Sequence, residues 1–208
     1  MKKWQFINIT NLKLLAAGLA GLIIVATVNN LIPFIVAPTF GQVLWTSSFA
    51  QSYINGGWPS IYATNIGIPN PQPISYGLVG AFLQSAISVL LDESMVNSYT
   101  IAQLILIAAA FYGCVKFAGL FLKNHYFAII SAVVFLSLPI VWFHQRFGTL
   151  AIGFASMPGY FFVVIHFLES LLEPQNSRSA KIINGFILIL VALFSVFIDG
   201  YTFVMFAI

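Results

Sequence analysis

Between Leu14 and Leu91 the chain contains no lysine, arginine, aspartate or glutamate. An uncharged stretch of that length cannot cover the surface of a water-soluble globule, in which charged side chains make up about a quarter of the residues. The whole chain follows suit, with 60% hydrophobic and 6% charged residues. Several apolar runs approach the roughly 20 residues that a helix needs to cross a bilayer. The expected fold class is therefore all-α, a polytopic transmembrane helical bundle. The net charge of +3 belongs to membrane topology. No basic run alternates with aromatic residues as a nucleic-acid groove requires, so nucleic acid is not an expected partner. The single Cys114 lies inside an apolar run, which excludes an intrachain disulfide.

The distribution of basic residues sets the expected topology. The segment 74–91 is apolar but short, with Gln84, Ser85 and Ser88 in its middle and Asp92 and Glu93 after it. If it stays on one side, Lys2, Lys3, Lys13, Lys116, Lys123, Arg178 and Lys181 all fall at the cytoplasmic face and Arg146 alone falls outside. If it crosses, the basic residues divide evenly. The positive-inside bias favours the first arrangement. The expected spans are then about 14–37, 98–122, 126–142, 154–172 and 182–198, with the amino terminus cytoplasmic in a multi-pass cell-membrane protein. Residues 38–97 form one long first external loop carrying surface or re-entrant helices. A short helix is expected over Val43 to Ile54, stopped by Gly56 and Gly57. Residues 1–208 read as the amino-terminal part of one helical domain, because the chain ends within the apolar run Tyr201 to Ile208.

The polar residues outside the spans supply the candidate site. His144, Gln145 and Arg146 interrupt the apolar sequence in the short external loop between two spans. A guanidinium presents a planar fork of donors that matches phosphate bidentately, so Arg146 is either a phosphate clamp or an interfacial arginine among lipid headgroups. His144 is a phosphate ligand, an acid-base, a metal ligand or an interfacial histidine. Trp58, Tyr62 and Asn65 set aromatic rings beside an amide in the first external loop, a surface suited to sugar or to simple packing. Asp199 at a membrane boundary is costly unless solvated or paired, and Tyr201 follows it. Asp92 and Glu93 are a helix terminus in water or an alternative pair of catalytic carboxylates.

Leu138 and Pro139, followed by Arg146 and Gly148, resemble the Pro, Arg, Gly pattern in the second external loop of the GT-C superfamily of membrane glycosyltransferases. The passage from Gly57 to Pro73 is similar to the Gly-aromatic-Pro passage of their first external loop, and Asp199-Gly200-Tyr201 to the polar-Tyr end of a later helix. The resemblance implies a transferase that uses a polyprenyl-phosphate-linked sugar at the external membrane face. Arg146, His144, Gln145, Trp58, Tyr62, Asn65 and Tyr201 would then bind substrate. The sequence departs from the family where an early acidic residue of the first external loop is expected, for it holds Gly41, Gln42 and Thr46 there. An amide cannot take a proton from a hydroxyl at neutral pH. Either Asp92, Glu93 or Asp199 then substitutes as the carboxylate, or a carboxylate comes from a further part of the protein, or this member does not catalyse; a divalent metal ion is the candidate cofactor. The alternative is a transporter or other non-catalytic component of cell-envelope assembly. Broken helices in paired halves would mark a transporter.

Overall fold

The computed structural model describes residues 9–35, 40–57, 62–63, 72–73, 77–138, 148–173 and 177–198. Among these the α-helices are α1 (Ile9–Val28), α2 (Phe40–Ser52), α3 (Leu78–Leu91), α4 (Met95–Phe121), α5 (His125–Leu136), α6 (Gly148–Leu172) and α7 (Arg178–Ile198). A single π-helical turn, Tyr53–Gly57, extends α2, and a two-residue antiparallel ladder pairs Tyr62 with Pro73 and Ala63 with Gln72. Among the described residues the regular structure is all-helical apart from that ladder.

Among the described residues three helical segments are long and apolar enough to cross a bilayer: Met95–Phe121, Ile152–Leu172 and Arg178–Ile198. Their large side chains are turned outward in numbers that water would not tolerate, as with Ile182, Ile183, Phe186, Ile189 and Phe194 on α7. This is a membrane protein, and hydrocarbon is the medium that these faces match.

Helix α4 runs through the centre. Its apolar part, from Leu104 to Phe121, is about 27 Å long at 1.5 Å per residue, close to the thickness of a hydrocarbon core. Helix α6 lies parallel to it, and the two meet at glycines: a Cβ on Gly113 would stand 2.7 Å from the Cα of Gly159. Only glycine on both sides allows that approach, and the proximity lets the Cys114 thiol reach the carbonyl of Ala155 at 3.6 Å. Pro158 sits inside α6 one residue earlier. Helix α1 packs against α5 in the same way, Gly21 lying under Ile129 and Val133 of α5 and Phe111 of α4. The buried core joins all five long elements, with Val25, Ile107, Leu136, Ile152 and Ile198 among its members.

The apolar stretch expected to be helical over 14–37 is helical only to Val28. Asn30 and Phe34 adopt positive φ, of 54° and 67°. Asn29 is buried, and its Nδ2 donates to the carbonyls of Val25 at 2.8 Å and Leu136 at 3.2 Å. The amide thus seals the end of α1 and the end of α5 together. At the start of α6 the difference has the opposite sense: Gly148 to Gly153, expected as loop, are already helical.

The bundle has two unlike ends. At the turn end are the short connections Leu122–Asn124 and 173–177, where Asn124 caps α5 by accepting the N–H of Tyr126. Among the described residues the cations Lys13, Lys116, Lys123, Arg178 and Lys181 belong to this end, and the ammonium of Lys181 donates to the carbonyl of Leu171. At the opposite end α1, α5 and α7 finish and α6 begins. Here α2, its π turn and α3 are laid over the first turns of α4, forming a cap.

Candidate functional site

The cap arises because the first turns of α4 are polar. Met95 to Gln103 carries Asn97, Ser98, Thr100 and Gln103 ahead of the apolar run, and Ser98, Tyr99, Thr100 and Gln103 are buried. What buries them is α3, which runs antiparallel to them. Gly77 opens α3 in the left-handed region at φ 78°, a conformation that favours glycine. Asp92 closes it at φ 53°, with its backbone N–H donating to the carbonyl of Ser88. Ser94 then starts α4 by accepting the N–H of Asn97.

Three polar relationships hold the cap. Gln84, wholly buried, donates through Nε2 to the Ser47 hydroxyl at 2.6 Å and to the Met95 carbonyl at 2.8 Å, tying α2, α3 and α4. The carbonyl of Glu93 accepts from the hydroxyls of Ser88 and Ser98, which fixes the α3–α4 turn. The Gly77 N–H donates to the carbonyl of Ile198 at 3.1 Å, fastening the start of α3 to the end of α7. A small apolar cluster of Phe49, Tyr53 and Ala81 fills the space beneath α2. Among the described residues the Tyr53 hydroxyl and the Gln84 Oε1 are buried without a hydrogen-bond partner, and burial pushes the Tyr53 phenol up to about 12. Where α3 meets the bundle, a cavity of about 10 Å³ lies among Gly80, Gln103, Ile152 and Ile198.

Asp92 and Glu93 sit in the α3–α4 turn. Asp92 is exposed, and the Glu93 carboxylate accepts from Asn97 Nδ2 at 3.1 Å. The fourteen residues of α3 carry this turn about 21 Å from Gly77 and Ile198. The pair therefore stands at the far end of α3 from the point where the chain continues into Asp199. Tyr62 has its backbone in the two-residue ladder. Trp58, Asn65, His144, Gln145, Arg146, Asp199 and Tyr201 lie outside the described residues. Their described neighbours in sequence share one property: Gly57, Gly77, Leu138, Gly148 and Ile198 all belong to the cap end. Among the described residues no group of three or more His, Cys, Asp or Glu side chains is placed to hold a metal.

Sequence reasoning did not find Gln84, Gln103 or Tyr53 as partners in one layer. The signal was present in part, since Gln84, Ser85 and Ser88 mark one polar turn of an otherwise apolar helix. No protein-family profile matches the chain, and neither does any curated protein or solved structure.

Proposed function

We propose that the cap end is the working face of a GT-C-type membrane glycosyltransferase, which binds a polyprenyl-phosphate-linked sugar at the external side of the membrane. The observation that supports this reading is the convergence of connections. The segments holding Trp58, Tyr62 and Asn65, then His144, Gln145 and Arg146, then Asp199 and Tyr201, all leave the described helices at the end that carries the polar cap. At the other end the connections are short and the described cations collect, as the positive-inside bias expects of a cytoplasmic face.

In this reading Arg146 holds the phosphate of the donor and neutralises it as leaving group, an electrostatic role that needs a fixed donor array near developing charge. Asp199 supplies the carboxylate that orients the acceptor. Asp92 and Glu93 are left out of the site, because about 21 Å of α3 separates them from the end of α7 and Glu93 is engaged with Asn97.

The test is binding and turnover of a polyprenyl-phosphate sugar by the wild type, Arg146→Lys and Arg146→Ala in matched detergent, with insertion checked separately. Hydrogen bonds to a charged group contribute on the order of 1.5–3 kcal/mol, so Arg146→Ala weakens donor binding roughly ten- to hundredfold, and Lys restores only part of it. Equal binding by all three proteins removes Arg146 from the site.

A further inference from the structure

Ser98, Thr100 and Gln103 are all buried in the first turns of α4, but they are not equally provided with partners. The Ser98 hydroxyl donates to the carbonyls of Glu93 and Ser94, and the Thr100 hydroxyl to the carbonyl of Val96. Gln103 stands deepest, directly before the apolar run that begins at Leu104. It is 4% exposed, and among the described residues nothing hydrogen-bonds to its side-chain amide. A primary amide buried in that way has given up its bonds to bulk water without replacement, a cost that native interiors rarely carry.

The amide faces a space left by a glycine. A Cβ on Gly80 would stand 3.6 Å from Gln103 Nε2 and 3.9 Å from Thr46 Cγ2, which is ordinary contact, so packing alone does not demand glycine there. The cavity of about 10 Å³ where α3 meets the bundle is bordered by this pair together with Gly77, Leu106, Ile152 and Ile198. A single water molecule needs roughly 10–15 Å³ of such space, so no larger ligand fits.

The walls decide between a water and a dry gap. Leu106 and Ile152 alone would favour a dry one, because a buried water needs two to four polar partners. Gln103 supplies the first. Gly77 and Ile198 supply backbone carbonyls: that of Ile198 accepts the Gly77 N–H at 3.1 Å, and that of Gly77 accepts the Ala81 N–H at 3.0 Å. Each carbonyl oxygen has a second lone pair to offer. We propose that this cavity binds one water molecule, held by the Gln103 amide and by a backbone carbonyl of the Gly77–Ile198 junction. It joins α3, α4 and α7 where the polar cap meets the apolar bundle. The site does not rest on the transferase reading.

Substitution at Gly80 tests this by the sign of its effect. Gly80 lies inside α3 in ordinary helical backbone, so alanine gains helix propensity there. In a dry cavity, Gly80→Ala would raise the folding equilibrium constant roughly fivefold from propensity alone. With a water present, the methyl group expels it and strands the Gln103 amide, and Gly80→Ala should lower the constant roughly three- to tenfold. In a Gln103→Met background no amide remains to be stranded, and Gly80→Ala should then raise the constant roughly fivefold. Reversible unfolding of the wild type, both single variants and the double variant in mixed micelles reads this reversal. A direct measurement accompanies it, made on chain labelled at the glutamine side-chain nitrogens. The Gln103 amide protons, assigned by their loss in Gln103→Met, should show a rotating-frame Overhauser contact to water, of the sign that marks proximity and not proton exchange. Gly80→Ala should lose that contact. Stabilisation by Gly80→Ala in both backgrounds, an equal loss in both, or no water contact at Gln103 in the wild type overturns the proposal. If Gly80→Ala does not fold, the water contact in the wild type decides.

Discussion

Gly113 and Gly159 touch backbone to backbone: no side chain separates α4 from α6 at their crossing, and a methyl group on Gly113 would lie 2.7 Å from the Cα of Gly159. Gly113→Ala therefore forces the helices apart, at the cost of about 1–3 kcal/mol typical of overpacking. Gly159→Ala costs less, since its Cβ would meet Gly113 at 3.2 Å. Equilibrium unfolding in mixed micelles should rank wild type, Gly159→Ala and Gly113→Ala in that order of stability.

Gln84 holds three helices through one amide group. Gln84→Met keeps the volume, gives up both hydrogen bonds and also removes the unpartnered Oε1, so its cost should stay near about 1–2 kcal/mol. Gln84→Glu keeps the shape but buries a carboxylate opposite a carbonyl, and should cost at least about 3 kcal/mol at neutral pH. If the glutamate variant proves as stable as the methionine variant in the same unfolding titration, the site is wetter than its burial indicates.

Asp92 occupies left-handed backbone at φ 53° and is exposed. Asp92→Gly should leave stability unchanged or raise it by about 0.5–1 kcal/mol, and Asp92→Val should lower it by about 1–2 kcal/mol. If Asp92 has no catalytic task, Asp92→Gly retains sugar transfer in full, while Asp199→Asn does not. Loss of transfer in Asp92→Gly with stability preserved would return Asp92 to the site.

Tyr53 gives a pH dependence with a definite sign. Its phenol is pushed up from 10.0 to about 12 in the folded protein by burial, so between those values the unfolded chain releases a proton that the folded chain keeps. Stability must then fall as pH rises from about 10 through about 12. Tyr53→Phe abolishes that part of the alkaline loss. Because the hydroxyl has no partner among the described residues, the substitution is neutral or stabilising at pH 7. A Tyr53→Phe protein that loses stability through this window as steeply as the wild type would contradict the assignment.

The topology is testable with single cysteines in a Cys114→Ala background. Cysteine at Asn55 or Asp92, both exposed at the cap end, should react with an impermeant maleimide added outside cells. Cysteine at Lys123 or Ser177, exposed at the turn end, should react only after permeabilisation. The reverse pattern would turn the protein over in the membrane and place the cap in the cytoplasm.

The long apolar helices were legible in the sequence because hydrocarbon selects for composition: Leu104 to Phe121 and Ile182 to Ile198 are apolar almost throughout. Helix ends were less legible. The run from Leu14 to Ala37 reads as one helix by hydropathy, yet α1 stops at Val28 because the Asn29 amide bonds to Leu136 in a helix more than a hundred residues away. The pairing of Gly113 with Gly159 was hidden for the same reason, since a lone glycine in an apolar helix does not name its partner. Asp92 and Glu93 read from sequence mainly as a helix terminus in water, but that they stand at the far end of α3 from Gly77, which is fastened to Ile198, is a tertiary relationship the sequence does not carry. The residues on which the proposed chemistry turns, Arg146 and Asp199, lie outside the described residues.

That hydrogen bond also bears on biogenesis. Gly77 belongs to the first half of the chain, and its acceptor is the last residue of α7. A ribosome releases the segment containing α2 and α3 long before it makes Ile198. During synthesis, α3 can pair with α4 as soon as both have emerged, but its leading end has no fastening until α7 arrives. The cap is therefore completed only by a late-made helix, and a nascent chain halted before residue 198 should expose Gly77 to protease while the α3–α4 turn is already protected.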